Sequence, residues 1–426
     1  MLTYTEDDAR RLDAADPGHR ELFRVPPAEG GRYEEVAYLA GNSLGLQPRT
    51  VRSDLLEDLD AWAHFGVEGH FEAERPWIPY PQSLTDATAR LVGALPAEVV
   101  VMNTLTVNLH LLMVSFYRPT GRRTRIVIED SAFPSDSYVV RSQARFHGLD
   151  PDSTVVRLRP RPGEEHLRTA DVCRFLAEEG DTVALVLLGG INYLTGELMD
   201  MLAITEAGHA AGALVGWDLA HAAGNVPLRL HDWGADFAAW CNYKYLNSGP
   251  GAIAGAFVHA RHLADRDIQR FEGWWGNDPA TRFEMTPICR PPDRADAWQL
   301  STPPLFSLSP VRTSLEIFDK VGIGVLRERS LRLTGYLERL LDEVTRVRPV
   351  TVVTPRDPAR RGCQLSLRVL DGDADQLAKL LRHEHGVITD ARRPDIVRAA
   401  PAPLYSTYHD CWRLADALLR TLPESG

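Results

Sequence analysis

The sequence lacks the features of a membrane protein and of a nucleic-acid-binding protein. Its longest apolar run, near residues 109–117, contains His110 and Ser115 and is too short to span a bilayer. No basic region followed by an apolar core stands at the N-terminus, so we expect no signal peptide. The formal net charge of −11 argues against nonspecific binding to nucleic acid or to an anionic membrane surface.

Cysteines and closely spaced metal ligands are also few. The five cysteines are odd in number, scattered, and contain no Cys-x-x-Cys pair, which favours a reduced, cytoplasmic protein without a structural zinc site. Asp218, His209, His221 and His231 could ligate a metal, but no His-x-x-x-His spacing or paired glutamate accompanies them. We therefore predict that the protein binds no metal.

What is present is typical of an α/β protein with more than one domain. A chain of 426 residues exceeds one typical hydrophobic core, and its 44% hydrophobic and 25% charged residues are ordinary for a globular protein. Residues 213–217 and 237–240 are short apolar runs that stop at polar residues and lead into glycine-containing segments. This pattern predicts buried parallel strands.

Two polar residues that follow these runs suggest a chemistry. Asp218 ends the first run and Lys244 lies just beyond the second. Because ligand sites of open α/β sheets lie outside the carboxyl ends of the strands, both side chains should project into one pocket. A desolvated lysine there suits a Schiff-base amine, and a carboxylate can pair with a protonated ring nitrogen. This pairing is the signature of pyridoxal phosphate (PLP) enzymes, although a surface ion pair is the simpler reading of an isolated Asp and Lys.

The stretch around Asp218 and Lys244 resembles the kynureninases, which are fold-type-I PLP enzymes. Five further segments carry the same resemblance, in the same order along most of the chain: YLAGNSLGLQP at 38–48, FPSD at 133–136, GWWG at 273–276, STPP at 301–304 and RAAPAPLY at 398–405. The resemblance implies a large PLP-binding domain with a mainly parallel seven-stranded sheet and a smaller α+β domain. We expect residues 66–308 in the large domain, and residues 1–65 and 309–426 in the small one.

The resemblance also implies which residues hold the cofactor. Lys244 would be the Schiff-base lysine, Asp218 would pair with the ring nitrogen, and Tyr243 would bind the phosphate or act as a further acid or base. The remaining cofactor contacts that it implies are Leu105, Thr106, Phe133, Asp136, His221, Trp274 and Thr302. Leu105 and Thr106 open a predicted helix, whose free amides and dipole suit a phosphate group. The family commonly has a phosphate-binding serine where this chain has Gly189, so one hydroxyl contact is missing.

The substrate contacts are assigned by the same resemblance. Arg398 would bind the α-carboxylate of an amino-acid substrate, a role that suits its planar guanidinium. The other substrate-binding candidates are Asn42, His70, Ser301 and Thr302. The 273–276 loop and the Ser301–Thr302 segment would reach the active site of the partner subunit in a homodimer. A histidine and a serine beside the aryl ring favour 3-hydroxykynurenine over kynurenine, because an unsubstituted ring would leave them unpaired.

The expected reaction is hydrolysis of the Cβ–Cγ bond of a kynurenine, which gives an anthranilate and L-alanine. Two other hypotheses remain open from the sequence. One is a different fold-type-I PLP enzyme, such as an aminotransferase or a cysteine desulfurase with Cys289 as its nucleophile. The other is a binding protein that keeps the fold without catalysis, against which Lys244, Asp218, His221 and Arg398 argue together.

Overall fold

A computed structural model describes residues 2–370 and 372–424. Its α-helices are α1 Glu6–Ala15, α2 Val51–Phe65, α3 Tyr80–Ser83, α4 Thr85–Val92, α5 Leu105–Phe116, α6 Pro134–Phe146, α7 Pro151–Thr154, α8 Thr169–Glu179, α9 Met201–Ala210, α10 Leu230–Trp233, α11 Leu305–Val321, α12 Ile323–Thr345, α13 Ala374–His385 and α14 Tyr408–Thr421. Its strands are β1 Phe23–Arg24, β2 Ala37–Tyr38, β3 Gln47–Pro48, β4 Val99–Val101, β5 Arg125–Glu129, β6 Val155–Leu158, β7 Val183–Gly189, β8 Leu214–Asp218, β9 Phe237–Trp240, β10 Gly255–Val258, β11 Val350–Val352, β12 Leu365–Val369, β13 Val387–Ile388, β14 Asp390–Arg392 and β15 Ile396–Ala399.

Seven strands form the large sheet, in the order β4-β10-β9-β8-β7-β5-β6. The pairs from β9 to β6 are all parallel, whereas β10 runs antiparallel to both β9 and β4. The apolar runs that end before Asp218 and Tyr243 are the buried strands β8 and β9. The predicted α/β fold with a mainly parallel seven-stranded sheet is therefore confirmed.

The connections of this sheet create a crevice between two strands. From β5 the chain goes outward to β6, then returns past β5 to β7 and continues through β8 and β9. The direction of winding thus reverses between β5 and β7, where Glu129 and Gly189 are the last residues of their strands. In open α/β sheets, ligands bind at such a reversal, outside the carboxyl ends of the strands.

A second unit is built on a four-stranded antiparallel sheet of order β11-β12-β15-β14. Its hydrophobic core includes Leu337, Leu367 and Leu414, and it also takes in Ala9 and Leu39 from the N-terminal part of the chain. Strand β2 pairs in parallel with β13, which ties the N-terminal segment to the C-terminal unit. The proposed domain limits at 65 and 308 stay a prediction, and α11 runs continuously through the second limit.

Among the described residues, no helix is both long enough and apolar enough to cross a membrane.

The protein exposes several large apolar side chains. On α2, Leu56, Leu59 and Trp62 are 47%, 43% and 58% exposed, although they lie on one stripe of the helix. Such a stripe normally packs against another surface.

Candidate active site

A cavity of about 290 Å³ lies at the carboxyl ends of β5, β7 and β8. Residues from both units contribute to its wall, because Arg392 on β14 of the second unit also lines it. The lining residues are Ser43, Thr104, Leu105, Thr106, Glu129, Phe133, Ser135, Asp136, Gly189, Ile191, Tyr193, Asp218, Ala220, His221, Tyr243, Lys244 and Arg392. The structure thus brings together eight of the residues singled out from the sequence: Leu105, Thr106, Phe133, Asp136, Asp218, His221, Tyr243 and Lys244.

Lys244 and His221 are in polar contact in the cavity. Lys244 Nζ lies 3.0 Å from His221 Nε2, and 5.9 Å from the centre of the Phe133 ring. Burial, reinforced by the positive charge of Lys244, lowers the pKa of His221 well below its ordinary value. The imidazole is therefore neutral, and its Nε2 accepts a hydrogen bond from the lysine amine.

Asp218 and Asp136 lie side by side in the buried wall. Burial raises the pKa of both carboxyls, and the negative charge of Asp218 raises the pKa of Asp136 further. The protonated form of Asp136 is thereby favoured, with Asp136 as the donor in its hydrogen bond to Asp218. Asp218 also accepts a hydrogen bond from the Ala220 amide at 2.7 Å, so it is the better-stabilised anion of the two.

Glu129 is a third buried carboxyl that sequence reasoning missed. It accepts a hydrogen bond from Asn192 Nδ2 at 2.9 Å, and burial raises its pKa to about 7. The rule that points to Asp218, a polar residue at the last position of a buried strand, also points to Glu129 at the end of β5. A Cβ added at Gly189 would lie 3.0 Å from Glu129 Oε1, so the glycine leaves room for this carboxyl.

The N-terminus of α5 supplies hydrogen-bond donors to the cavity. Thr104 is the N-cap residue with extended backbone, yet its side chain makes no capping hydrogen bond within the described structure. The first amides of a helix have no intrahelical partner, and here no side chain substitutes for one. Residues 104–106 line the cavity, so these amides and the helix dipole are available to an anion.

Tyr243 precedes the lysine and contacts the Cys241 thiol. Burial is the main cause that raises the pKa of Tyr243 above its ordinary value, and the neighbouring thiol adds to the shift. The phenol thus stays protonated at neutral pH and can donate a hydrogen bond. Cys241 itself is buried, and burial raises the pKa of its thiol.

Arg398 lies behind the cavity wall and not in it. The side chain is fully buried; its Nη1 donates to the Tyr193 carbonyl at 2.7 Å, and its Nη2 donates to Asp390 Oδ2 at 2.7 Å and to Ser43 Oγ at 3.2 Å. Ser43 and Tyr193 do line the cavity. The guanidinium that reaches the cavity belongs to Arg392, which nothing in the sequence distinguished from other arginines.

Besides Arg398, five further predicted residues lie outside the cavity of the single chain. Asn42 is buried and donates to Gln364 Oε1 at 3.1 Å. The His70 ring packs edge-on against Trp77, with 5.0 Å between ring centres. Trp274 is 43% exposed, and Ser301 and Thr302 are exposed as well. Their roles stay predictions.

One group in the described part of the chain has the composition of a metal site. It consists of Glu98, His231 and His259. It lies at the start of β4 and the end of β10, at the opposite ends of the strands from the cavity. Glu98 Oε1 already accepts from His231 Nδ1 at 2.8 Å and from the Ala260 amide at 2.7 Å. His259 Nδ1 accepts from the Arg261 amide, so these ligand atoms are engaged in internal hydrogen bonds.

Comparison with known proteins identifies the family. The kynureninase of Salinispora tropica is 73% identical over 421 residues, which cover 99% of this chain and 98% of that protein. The kynureninases of Koribacter versatilis and Myxococcus xanthus are 53% and 54% identical over 420 residues. The chain belongs to the kynureninase family. The family model of the kynureninase C-terminal domain also matches, at residues 326–418.

Solved structures with the same fold are more distant in sequence. A cysteine desulfurase from Thermococcus onnurineus superposes with a TM-score of 0.75 at 16% identity, and covers 91% of this chain and 94% of its own. A cystine C–S lyase in complex with cysteine persulfide gives 0.78 at 15% identity, covering 91% and 98%. At this identity the likeness shows only the fold. Cys289, the residue that a desulfurase would need as nucleophile, is not among the residues that line the cavity.

Proposed function

We propose that this kynureninase-family enzyme uses pyridoxal 5′-phosphate in the cavity to hydrolyse the Cβ–Cγ bond of an L-kynurenine, giving an anthranilate and L-alanine. The observation that carries the proposal is the convergence of Lys244, His221 and Asp218 beside the open N-terminus of α5. A related fold carries glycine covalently linked to its PLP cofactor, in the cystine C–S lyase variant. Five free cysteines accord with the cytoplasmic location that we also propose.

The residues present fit the cofactor. Asp136 Oδ1 and His221 Nδ1 are buried polar atoms without a hydrogen-bond partner in the described structure, so the cavity is incomplete by itself. The uncapped amides of α5 suit the phosphate, and the Asp218 carboxylate suits a protonated ring nitrogen. Another backbone amide or a water would serve where the family commonly has a serine hydroxyl, because the Gly189 amide is hydrogen-bonded to Glu129.

Each side chain has a defined task in the reaction. Bound PLP would supply an electron sink for the carbons of the substrate. Asp218 holds the proton of the ring nitrogen, and the Lys244 amine removes the proton from the substrate Cα. Neutral His221, 3.0 Å away, accepts a hydrogen bond from that amine and so orients it. Water adds to the aryl ketone carbon, the Cβ–Cγ bond breaks, and the protonated Tyr243 hydroxyl returns a proton to Cβ.

The amino-acid end of the substrate is assigned to Arg398. Its guanidinium lies one layer behind Ser43 and Tyr193, and a modest movement of these two residues would open it to the cavity. Asn42 acts through Gln364, which accepts from Asn42 and donates to the Tyr193 carbonyl at 3.0 Å. Asn42 is therefore proposed as a positioning residue for this end of the site.

The aryl end is assigned to a second copy of the chain. Phe71, next to His70, packs on Phe283, and Trp274 packs on Phe283 as well, with ring centres 6.2 and 5.5 Å apart. Phe71 and Phe283 are 60% and 54% exposed, so this aromatic cluster presents an apolar face to solvent. A homodimer would cover that face and could carry His70, Trp274 and Thr302 to the partner's cavity.

The proposal extends to the ring substitution of the preferred substrate. His70 Nδ1 is buried without a hydrogen-bond partner in the described residues, and Ser301 offers an exposed hydroxyl. A ring hydroxyl could satisfy such groups, whereas an unsubstituted ring would leave them unpaired. We therefore favour 3-hydroxykynurenine over kynurenine, and a higher kcat/KM for kynurenine would contradict this preference.

The deciding experiment is a steady-state assay of PLP-loaded protein on kynurenine and 3-hydroxykynurenine, with alanine and the aryl amine both quantified. Stoichiometric release of the two products supports the proposal. A protein that binds PLP yet releases neither product from either substrate would refute it.

Lys244→Ala should abolish turnover while the protein still takes up the cofactor through α5, Asp218 and Tyr243. The alanine variant loses the base that acts at Cα, and the measurement is kcat together with the amount of PLP retained after dialysis. Substantial steady-state activity in this variant would show that another residue is the base.

A further inference from the structure

Arg392 is a cavity-lining cation to which the reaction described above gives no task. It ends the edge strand β14, where side chains alternate between the two faces of the sheet. Ala391 packs against the core of the second unit, so Asp390 and Arg392 share the opposite face. In the strand register Asp390 stands directly across from Arg398. The sheet therefore places one carboxylate between two guanidinium groups.

The charges of this trio do not cancel. Asp390 Oδ1 pairs with Arg392, and Asp390 Oδ2 pairs with Arg398 at 2.7 Å. Two positive charges thus share one negative charge, and one positive charge is left over. Arg398 is fully buried with both terminal nitrogens engaged, whereas the side chain of Arg392 is 33% exposed. The excess charge faces the cavity through Arg392.

Arg392 also has hydrogen-bond donors to spare. Its Nη1 donates to Asp390 and to the Ala391 carbonyl at 2.8 Å. Within the part of the chain that the structure describes, Nε and Nη2 make no hydrogen bond. Because Asp390 fixes the Nη1 side, these remaining donors are held in one orientation, as a bidentate contact to a carboxylate requires.

We propose that Arg392 is a second carboxylate-binding residue, which takes the α-carboxylate of the amino-acid substrate while Asp390 holds both guanidinium groups in place. The inference rests on the proposed function, since it assumes an amino-acid substrate in this cavity. It makes Arg392 the first positive charge that the substrate meets, and Arg398 the buried charge behind it.

The cofactor phosphate is the other anion that the cavity could bring to Arg392. The donors suited to the phosphate belong to α5, whereas Arg392 is paired with Asp390, which also pairs with Arg398. The proposal therefore predicts that loss of Arg392 weakens the binding of substrate carboxylates and leaves the affinity for PLP unchanged.

Arg392→Gln tests this with two ligands of PLP-loaded protein: L-alanine, which carries the carboxylate, and L-alaninamide, which does not. Binding is followed by the absorbance of the cofactor, and the dissociation constant of PLP is measured separately. We expect the dissociation constant of L-alanine to rise about tenfold or more, with those of alaninamide and PLP unchanged. Arg393→Gln is the matched control, because Arg393 is 85% exposed and pairs with Asp375 outside the cavity.

Several outcomes would overturn the inference. If the glutamine variant binds L-alanine as tightly as the wild type, or loses the same affinity for L-alanine and L-alaninamide, Arg392 does not bind the carboxylate. If the variant binds PLP more weakly, Arg392 binds the phosphate instead. If Arg392→Gln does not fold, Arg392→Lys replaces it, with an expected loss of L-alanine affinity smaller than tenfold. Turnover of kynurenine by the wild type distinguishes two kinds of failure. If the wild type turns over kynurenine, a negative result rejects only the role of Arg392. If it does not, the proposed function and this inference are both rejected.

Discussion

Three buried carboxyl groups line the same cavity as Lys244: those of Glu129, Asp136 and Asp218. Their surroundings give them different protonation states. Asp136 keeps a proton because it is buried against the Asp218 anion, and Glu129 has a pKa of about 7. The pocket thus carries one stable anion for a protonated ring nitrogen and does not accumulate three negative charges beside Lys244.

Glu129→Gln should change how the stability of the cofactor-free protein depends on pH. The folded pKa of about 7 lies above the ordinary glutamate pKa of 4.5, so the folded state binds a proton that the unfolded state has released. The wild type therefore loses stability as the pH rises from 4.5 to 7, by about 3 kcal/mol relative to the glutamine variant. Urea unfolding of both proteins at pH 5 and pH 8 measures this difference, and parallel pH profiles would contradict it.

At the scale of single elements, the first turn of α5 is the part of the site that backbone atoms build. Thr104 has φ −128° and ψ 163°, an extended conformation that leaves the following amides pointing out of the helix start. Because a proline at the first helical position keeps the helix while it removes one amide, this contribution can be tested without disturbing the fold.

Leu105→Pro should raise the dissociation constant of PLP about tenfold relative to Leu105→Ala. Both variants lose the leucine side chain, but only the proline variant loses the N–H that would bind the phosphate, and a hydrogen bond to a charged group contributes about 1.5 kcal/mol or more. Fluorescence titration with PLP gives the ratio, and circular dichroism checks that both proteins keep their helices. Equal affinities would place the phosphate elsewhere.

The pairing of β9 with β10 depends on a glycine. Gly255 stands opposite Trp240, and a Cβ at Gly255 would lie 2.2 Å from the Trp240 ring. We expect Gly255→Ala to destabilise the protein by about 1–3 kcal/mol through overpacking. Gly324→Ala is the control, because no atom lies within 4 Å of its Cβ position and the change favours the start of α12. Thermal unfolding compares them, and equal melting temperatures would refute the steric argument.

At the scale of the whole molecule, we propose that a second copy of the chain completes the aryl-binding site. The surface of the chain has a second cavity of about 1020 Å³, lined mainly by apolar residues that include Leu46, Leu55 and Phe306. Trp62 packs on Phe306 beside it, with 6.0 Å between ring centres. Because large exposed apolar surfaces commonly mark protein–protein contacts, this cavity supports the proposed dimer.

A mixture of Lys244→Ala and His70→Ala chains should regain activity that neither variant has alone. In a shared site, one half of each mixed dimer combines both changes and the other half has neither. Random exchange in an equal mixture would then restore about a quarter of the wild-type sites. Turnover after mild dissociation and reassociation measures this, with size-exclusion chromatography and light scattering to confirm the dimer. No recovery in a mixture shown to contain mixed dimers would place His70 in its own chain's site.

The sequence by itself predicted the parts of the site that local patterns specify. Strand ends indicated Asp218 and Lys244, because strand burial depends on neighbouring residues, and a predicted helix start agreed with the phosphate role that the resemblance implied for Leu105 and Thr106. The family resemblance added Asp136, His221 and Phe133 to the same cavity, where the structure places them.

Only the tertiary structure decided what lies opposite these residues. Arg392 faces the cavity because β14 pairs with β15 at the edge of the second sheet, and Asp390 meets Arg398 through that register. Glu129 meets Asn192 because β5 and β7 are neighbours in the sheet, although 53 residues of the chain lie between the two strands. Such contacts depend on strand order and on the packing of one unit against another, which hydrophobic periodicity does not encode.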